Sequence, residues 1–152
     1  MLPFVRTLND LRAVKEMLER QGLKRSESFK LWMMLEVPSN VLLLDQFLDV
    51  GVDGVSIGSN DLTQLILGVD RDNERLASAF DERDPAVLHA LERVVKGCSA
   101  RQVTVSICGQ APSVFPELTN KLVNWGITSV SVSPDAIDST RSVVHQAETQ
   151  WK

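Results

Sequence analysis

Short apolar runs alternate along the chain with longer stretches in which apolar side chains recur every three or four positions. Residues 2–6 read as a first strand, and residues 8–21 carry Leu11, Val14, Met17 and Leu18 on one helical face, with Gly22 as the stop. Residues 31–35 are apolar throughout, as in a strand covered on both sides, and end abruptly in Glu36. A helix over about 39–50 turns Val41, Leu44, Phe47 and Leu48 inward and ends at Gly51. Residues 55–57 form a third strand running into Gly58-Ser-Asn-Asp61 and a short helix to Leu67. Residues 68–83 are charged and weakly periodic, an irregular excursion with about one helical turn. Asp84-Pro85 is a helix start, with Val87, Leu88, Leu91, Val94 and Val95 inward. Residues 103–107 are a fourth strand reaching Cys108, followed by a helix over 115–125 and a fifth strand over 129–132. Ser133-Pro134-Asp135 opens a last helix with Ile137, Val143, Val144 and Ala147 inward.

Five strands alternating with helices define an α/β fold around a parallel sheet. No linker, repeat or low-complexity tract divides the chain, so residues 1–152 form one domain. Composition adds little to this picture. With 43% hydrophobic and 24% charged residues and a net charge of -4, the chain has an ordinary core and no electrostatic reason to bind nucleic acid. No apolar run approaches the roughly 20 residues of a membrane helix, and the first residues are no signal peptide. Two cysteines make no disulfide framework, which predicts a reducing, cytoplasmic setting. Cys98 falls late in a helix and Cys108 at a strand end, so about 17 Å of strand separates them, beyond disulfide reach.

Ligands of parallel α/β folds lie beyond the carboxyl ends of the strands, and here three consecutive strands end in chemical groups. Glu36 follows an apolar strand, so its carboxylate needs a partner: a lysine or arginine in an ion pair, or a metal shared with Asp61 at the next strand end. Two carboxylates with room for waters and substrate oxygens suit Mg²⁺. Gly58-Ser59-Asn60-Asp61 is either a plain helix cap or a turn whose amides approach an anionic ligand. Cys108, beside Gly109, has the position of a thiol usable in proton transfer. His89 and His145 read as surface imidazoles, and Trp32, Trp125 and Trp151 as packing residues.

Five motifs in order carry a resemblance: Met1-Leu-Pro-Phe-Val-Arg-Thr7, Met33-Met-Leu-Glu-Val-Pro-Ser-Asn40, Ser56-Ile-Gly-Ser-Asn-Asp-Leu-Thr-Gln64, Phe80-Asp-Glu-Arg-Asp-Pro-Ala-Val87 and Ile107-Cys-Gly-Gln-Ala-Pro-Ser113. From Met1 to about Val144 the chain resembles the C-terminal domain of the phosphoenolpyruvate synthase (pyruvate, water dikinase) family. Pyruvate phosphate dikinase and enzyme I of the sugar phosphotransferase system share the Glu and Asn-Asp motifs, but Cys-Gly-Gln-Ala-Pro-Ser is most similar to the synthases. Val114 and Leu35 depart from the family pattern at peripheral positions.

The resemblance implies a transferase, an ATP-dependent kinase of gluconeogenesis, that converts ATP, pyruvate and water to AMP, phosphoenolpyruvate and phosphate. It implies pyruvate or phosphoenolpyruvate as ligand and Mg²⁺ held by Glu36 and Asp61. Glu36, Gly58, Ser59, Asn60 and Asp61 would form the substrate site, and Cys108 would be the catalytic proton donor. The implied fold is a (β/α)8 barrel, which needs about 250 residues. The chain would then be a partial barrel of the fourth to eighth units, without the ATP-binding and phosphohistidine domains and inactive alone. A homodimer, or a chain supplying the other half-barrel, would complete it. The alternatives are a non-catalytic remnant serving as an interaction or oligomerisation module, or part of a related PEP-utilising enzyme such as pyruvate phosphate dikinase or enzyme I of the phosphotransferase system.

Overall fold

The structure, a computed structural model, describes residues 1–150; Trp151 lies outside the described residues. Its centre is a parallel sheet of four strands in the order β1 (Trp32–Leu35), β2 (Gly54–Gly58), β3 (Thr104–Cys108) and β4 (Ser129–Val130). Every strand pair is parallel, so each connection crosses over through helix. The crossovers are α2 (Pro38–Leu42) with α3 (Leu44–Asp49), α4 (Ser59–Leu67) with α5 (Pro85–Ala100), and α6 (Ala111–Val114) with α7 (Pro116–Trp125), while α1 (Leu8–Arg20) precedes β1 and α8 (Ile137–Gln150) follows β4.

Residues 2–6 are not a strand. Leu2 makes a single parallel bridge to Met33, through Leu2 N–H to Trp32 O and Met34 N–H to Leu2 O, both 2.8 Å. Pro3 has no N–H to continue the ladder, and Phe4 turns away with φ +49°. Side chains of the Glu36–Asn40 segment take over as partners. Glu36 Oε1 accepts from Phe4 N–H at 2.6 Å, Asn40 Nδ2 donates to Val5 O at 2.8 Å, and Ser39 Oγ donates to Arg6 O at 2.7 Å.

The expected fifth strand shrinks to Ser129–Val130, although Ser131 N–H still reaches Ile107 O. Pro134 then starts a 3-10 turn in place of further ladder. The helix expected over 39–50 bends at Leu43, so Val41 and Leu44 both point inward while Leu42 and Leu43 face solvent. Met17 and Ile137, expected inside, are exposed. Leu11 is the side chain of α1 fully buried in the core, and the inward row of α8 runs through Thr140 and Ala147, continuing that of Ala136 in the preceding turn. The start of α5 is as expected, Asp84 accepting from Ala86 N–H ahead of Pro85.

Register divides the sheet into two chemical faces. Met33, Val55 and Val105 stand side by side on one face, followed by Leu35, Ile57 and Ile107. All six are essentially inaccessible, and α-helices cover them. The opposite face carries Trp32, Gly54 and Thr104, then Met34, Ser56 and Ser106. Trp32, Met34 and Thr104 are only half-buried there, so the run at 31–35 is not covered equally on both sides. The Trp32 indole lies across Gly54, in the space a side chain at 54 would occupy. Gly54→Ala should therefore displace the indole and cost about 1–3 kcal/mol. Denaturant unfolding measures it, and an unchanged midpoint would show that the indole position is not fixed by this contact.

Candidate functional site

Where β1 to β3 end, the open face turns polar. One residue past the last β1–β2 pair, Glu36 lies over Gly58, and Gly58 is paired with Cys108. A side chain at 58 could not coexist with this arrangement, since its Cβ would fall 2.8 Å from Glu36 Oε2 and 3.0 Å from Glu36 Cβ. Three expected site residues thus form one transverse row. Glu36 is 5% exposed. Its partner is the Phe4 main-chain N–H; among the described residues it forms no ion pair with lysine or arginine. A buried carboxylate with one hydrogen bond and no counter-charge is costly, and its oxygen is a hard donor suited to a hard cation.

The Gly58–Asp61 turn is not a plain cap. Gly58 occupies the N-cap and has no side chain to offer, so Ser59, Asn60 and Asp61 form the first helical turn of α4 itself. The amides of that turn are left without a side-chain cap, a geometry that favours an anion. Asp61 is half-buried in this turn and not at the end of β2. Ser59 is buried and donates its hydroxyl to Cys108 O at 3.1 Å, which ties α4 to the end of β3. Gly109 makes the tie possible, because with φ +122° a side chain there would be strained and would strike Ser59 Oγ.

Cys108 closes β3 and is partly accessible. Its Sγ donates to Ile57 O at 3.5 Å and receives the Ser56 hydroxyl at 3.7 Å, so the thiol is oriented on the open face. Cys98 is a fully buried free thiol at the far end of α5. His89 and His145 are exposed on α5 and α8. Asn40, which holds the Val5 carbonyl beneath the site, and Glu82 were missed by residue-type reasoning. Glu82 is 4% exposed in the excursion between α4 and α5, and its Oε1 has no hydrogen-bond partner among the described residues. Burial pushes its carboxyl above the ordinary range, partly offset by the Ser59 hydroxyl and the Arg71 charge. The only sequence signal was a lone Glu within a recurring motif in an otherwise solvated charge run.

An apolar groove of about 480 Å³ between α2, α4 and α5 lies among Pro38, Val41, Leu65, Ala90 and Arg93, away from these groups. A second cleft, about 360 Å³, adjoins the site and includes Asp81, Glu82, Arg83, Gln110 and Phe115. No described helix is long and apolar enough to cross a membrane.

The sequence that builds this sheet and its strand-end row has counterparts among known proteins. Residues 1–149 match the family described as PEP-utilising enzyme, PEP-binding domain, and the chain belongs to that family. It is 55% identical over 150 residues to a probable phosphoenolpyruvate synthase of Staphylothermus marinus, covering 97% of this chain and 18% of that protein. It is 53% identical over 150 residues to the phosphoenolpyruvate synthase of Aeropyrum pernix, with the same coverage. The Escherichia coli phosphoenolpyruvate synthase is 48% identical over 141 residues, 92% of this chain and 18% of that protein. The chain therefore spans about 18% of the length of these relatives.

The two thiols differ in a way that labelling reads directly. Cys98, whose thiol burial and the Asp45 charge push up to about 12, should resist iodoacetamide at pH 8 in the folded chain. Cys108 should be alkylated first. Mass mapping that finds Cys98 labelled at the same rate would contradict the burial described here.

Proposed function

We propose that this chain is the enolate-handling part of a phosphoenolpyruvate synthase, acting on pyruvate and phosphoenolpyruvate with Mg²⁺, in a partial (β/α)8 barrel made of the later barrel units. The observation that supports it most is Glu36, a buried carboxylate without a cationic side-chain partner among the described residues, aligned with Gly58 and Cys108 across three strands. Glu36 and Asp61 are the residues that would hold the cation. When bound, Mg²⁺ would offset the negative charge that develops on the substrate oxygens.

The rest of the chemistry belongs to the chain. Ser59 and Asn60, in the first turn of α4, bind and orient the anionic substrate through main-chain N–H groups. The Cys108 thiol, partly accessible at the end of β3, would exchange a proton with the methyl carbon of pyruvate. In the direction of phosphoenolpyruvate formation the thiolate takes that proton, and in the reverse direction the thiol returns it to the methylene carbon. Phosphoryl transfer from ATP is assigned to no residue of this chain, and by itself the chain would not complete the overall reaction.

Binding tests the reading. Mn²⁺ with oxalate, an enolate analogue, should broaden amide signals around Glu36 and Asp61. Glu36→Gln and Asp61→Asn should each weaken metal binding on the order of tenfold or more, because affinity follows ligand charge. Broadening centred elsewhere, or unchanged by both substitutions, overturns the assignment.

The open sheet face concerns partners. Among the described residues β1 has only the Leu2 bridge along its outer edge and β4 is two residues long, which leaves strand edges that invite pairing. We propose that a second copy, or a segment supplying the other barrel units, covers this face. Sedimentation should show concentration-dependent association that Met34→Lys abolishes. A concentration-independent monomer with strong hydrogen-exchange protection in residues 2–6 and 129–132 would refute it. Association without metal binding would favour the interaction-module alternative.

A further inference from the structure

Asn40 is completely buried, and both ends of its carboxamide are committed. It stands third in α2, whose N-cap is Val37, and its Oδ1 reaches back to accept Val37 N–H at 3.3 Å. Its Nδ2 donates to Val5 O at 2.8 Å. One of these two residues follows Glu36 in the chain and the other follows Phe4. Phe4 and Glu36 are themselves joined, main-chain N–H to Oε1, at 2.6 Å. Phe4 holds a left-handed backbone, φ +49°, which a bulky residue rarely adopts. Burial of the ring is no reason for it, since Phe4 is 40% exposed. Such a conformation persists where the surroundings over-determine it. Here Leu2 is bonded to Trp32 and Met34 on one side of Phe4, and Val5 is held by Asn40 on the other.

We propose that Asn40 is a positioning residue for Glu36: by tying Val5 to Val37 it keeps Phe4 N–H on Glu36 Oε1 and leaves Oε2 fixed over Gly58, the N-cap of α4. Oε2 is the oxygen that borders the space a side chain at 58 would fill, 2.8 Å from it. Chemistry singles out asparagine for this brace. Its side chain both donates and accepts, whereas an aspartate would only accept and a leucine would do neither. Removing it leaves a buried carbonyl and a main-chain N–H without their partners. Ser39 Oγ donates to Arg6 O at 2.7 Å, but at an exposed position one residue further from Phe4. With Oε1 spent on the main chain, a cation at Glu36 would be taken by Oε2 alone, a consequence that rests on the function proposed above.

The test begins on the full chain without ligand. In the wild type, three-bond couplings of Glu36 should report a single side-chain rotamer, and the Phe4 amide should exchange slowly. Asn40→Ala should average those couplings and speed Phe4 exchange about fivefold to tenfold beyond any change in global stability, as for a lost hydrogen bond. Ser39→Ala, which cuts only the Arg6 tie, should leave both signals in place. Leu122→Ala, at a buried position of α7, lowers global stability and should spare both signals once stability is allowed for. The proposal fails if wild-type Glu36 averages its rotamers, or if Asn40→Ala leaves Glu36 and Phe4 unchanged. It fails equally if Leu122→Ala moves them as much as Asn40→Ala. Should Asn40→Ala not fold, Asn40→Asp, which keeps the acceptor for Val37 and loses the donor to Val5, takes its place beside the wild-type couplings. With Mn²⁺ and oxalate, Asn40→Ala should bind about fivefold more weakly, and equal affinity in the two proteins overturns the positioning role. If Asn40→Ala frees Glu36 but the wild-type chain binds no Mn²⁺ and oxalate, the brace is upheld and the functional reading sinks.

Discussion

The arrangement depends on one constraint, the in-register parallel pairing of β1, β2 and β3 with glycine at two positions of the middle strand. Pairing places Glu36, Gly58 and Cys108 in a row, and the missing side chain at 58 leaves the volume that the Glu36 carboxylate occupies. Gly54 does the same for the Trp32 indole two layers further in. Because side chains alternate faces with period two, a one-residue slip would bury Ser56 and Gly58 among the helices and turn Val55 and Ile57 towards the open side. Hydrophobic burial of Met33, Leu35, Val55, Ile57, Val105 and Ile107 therefore sets the geometry of the polar row without touching it.

The Glu36–Asn40 segment has a structural duty beside the chemical one proposed for Glu36. Glu36, Ser39 and Asn40 satisfy main-chain groups of Phe4, Arg6 and Val5 in a segment that Pro3 bars from the sheet. Asn40 is completely buried in that role, and its Oδ1 also accepts from Val37 N–H. Local order at Glu36 thus comes from both sides, from Gly58 beneath the carboxylate and from the anchored N-terminal segment at its oxygen. A carboxylate so held has lost most of its rotamer freedom before any ligand arrives, which lowers the cost of binding.

Much of this was legible in the residues. The apolar runs located β1, β2 and β3, Asp84-Pro85 located the start of α5, and the alignment of polar residues after strands pointed to the site end of the sheet. The resemblance carried by five ordered motifs agrees with the family to which the chain belongs. What was not legible depends on contacts between distant segments. Residues 2–6 have the composition of a strand, and only their partners show that side-chain acceptors replace the ladder. Helix faces at Met17 and Ile137 were misread because apolar spacing does not reveal how far a neighbour extends. Glu82 was passed over because a glutamate in a charged stretch is ordinarily solvated, and burial under α4 is a property of the folded excursion rather than of its sequence.

Net charge explains little about the proposed ligand. A chain with a net charge of -4 has no long-range attraction for an anion such as pyruvate. Short-range attraction has to be built from oriented dipoles and a cation. The first turn of α4 supplies N–H groups without a side-chain cap, and an ion held as proposed by Glu36 and Asp61 would reverse the local sign of charge. In such a site every carboxylate is either a metal ligand or a liability. Glu36 and Asp61 are assigned to the first role. Glu82, on the neighbouring excursion, is pushed above the ordinary carboxylate range by burial, while the Ser59 hydroxyl and the Arg71 charge pull the other way.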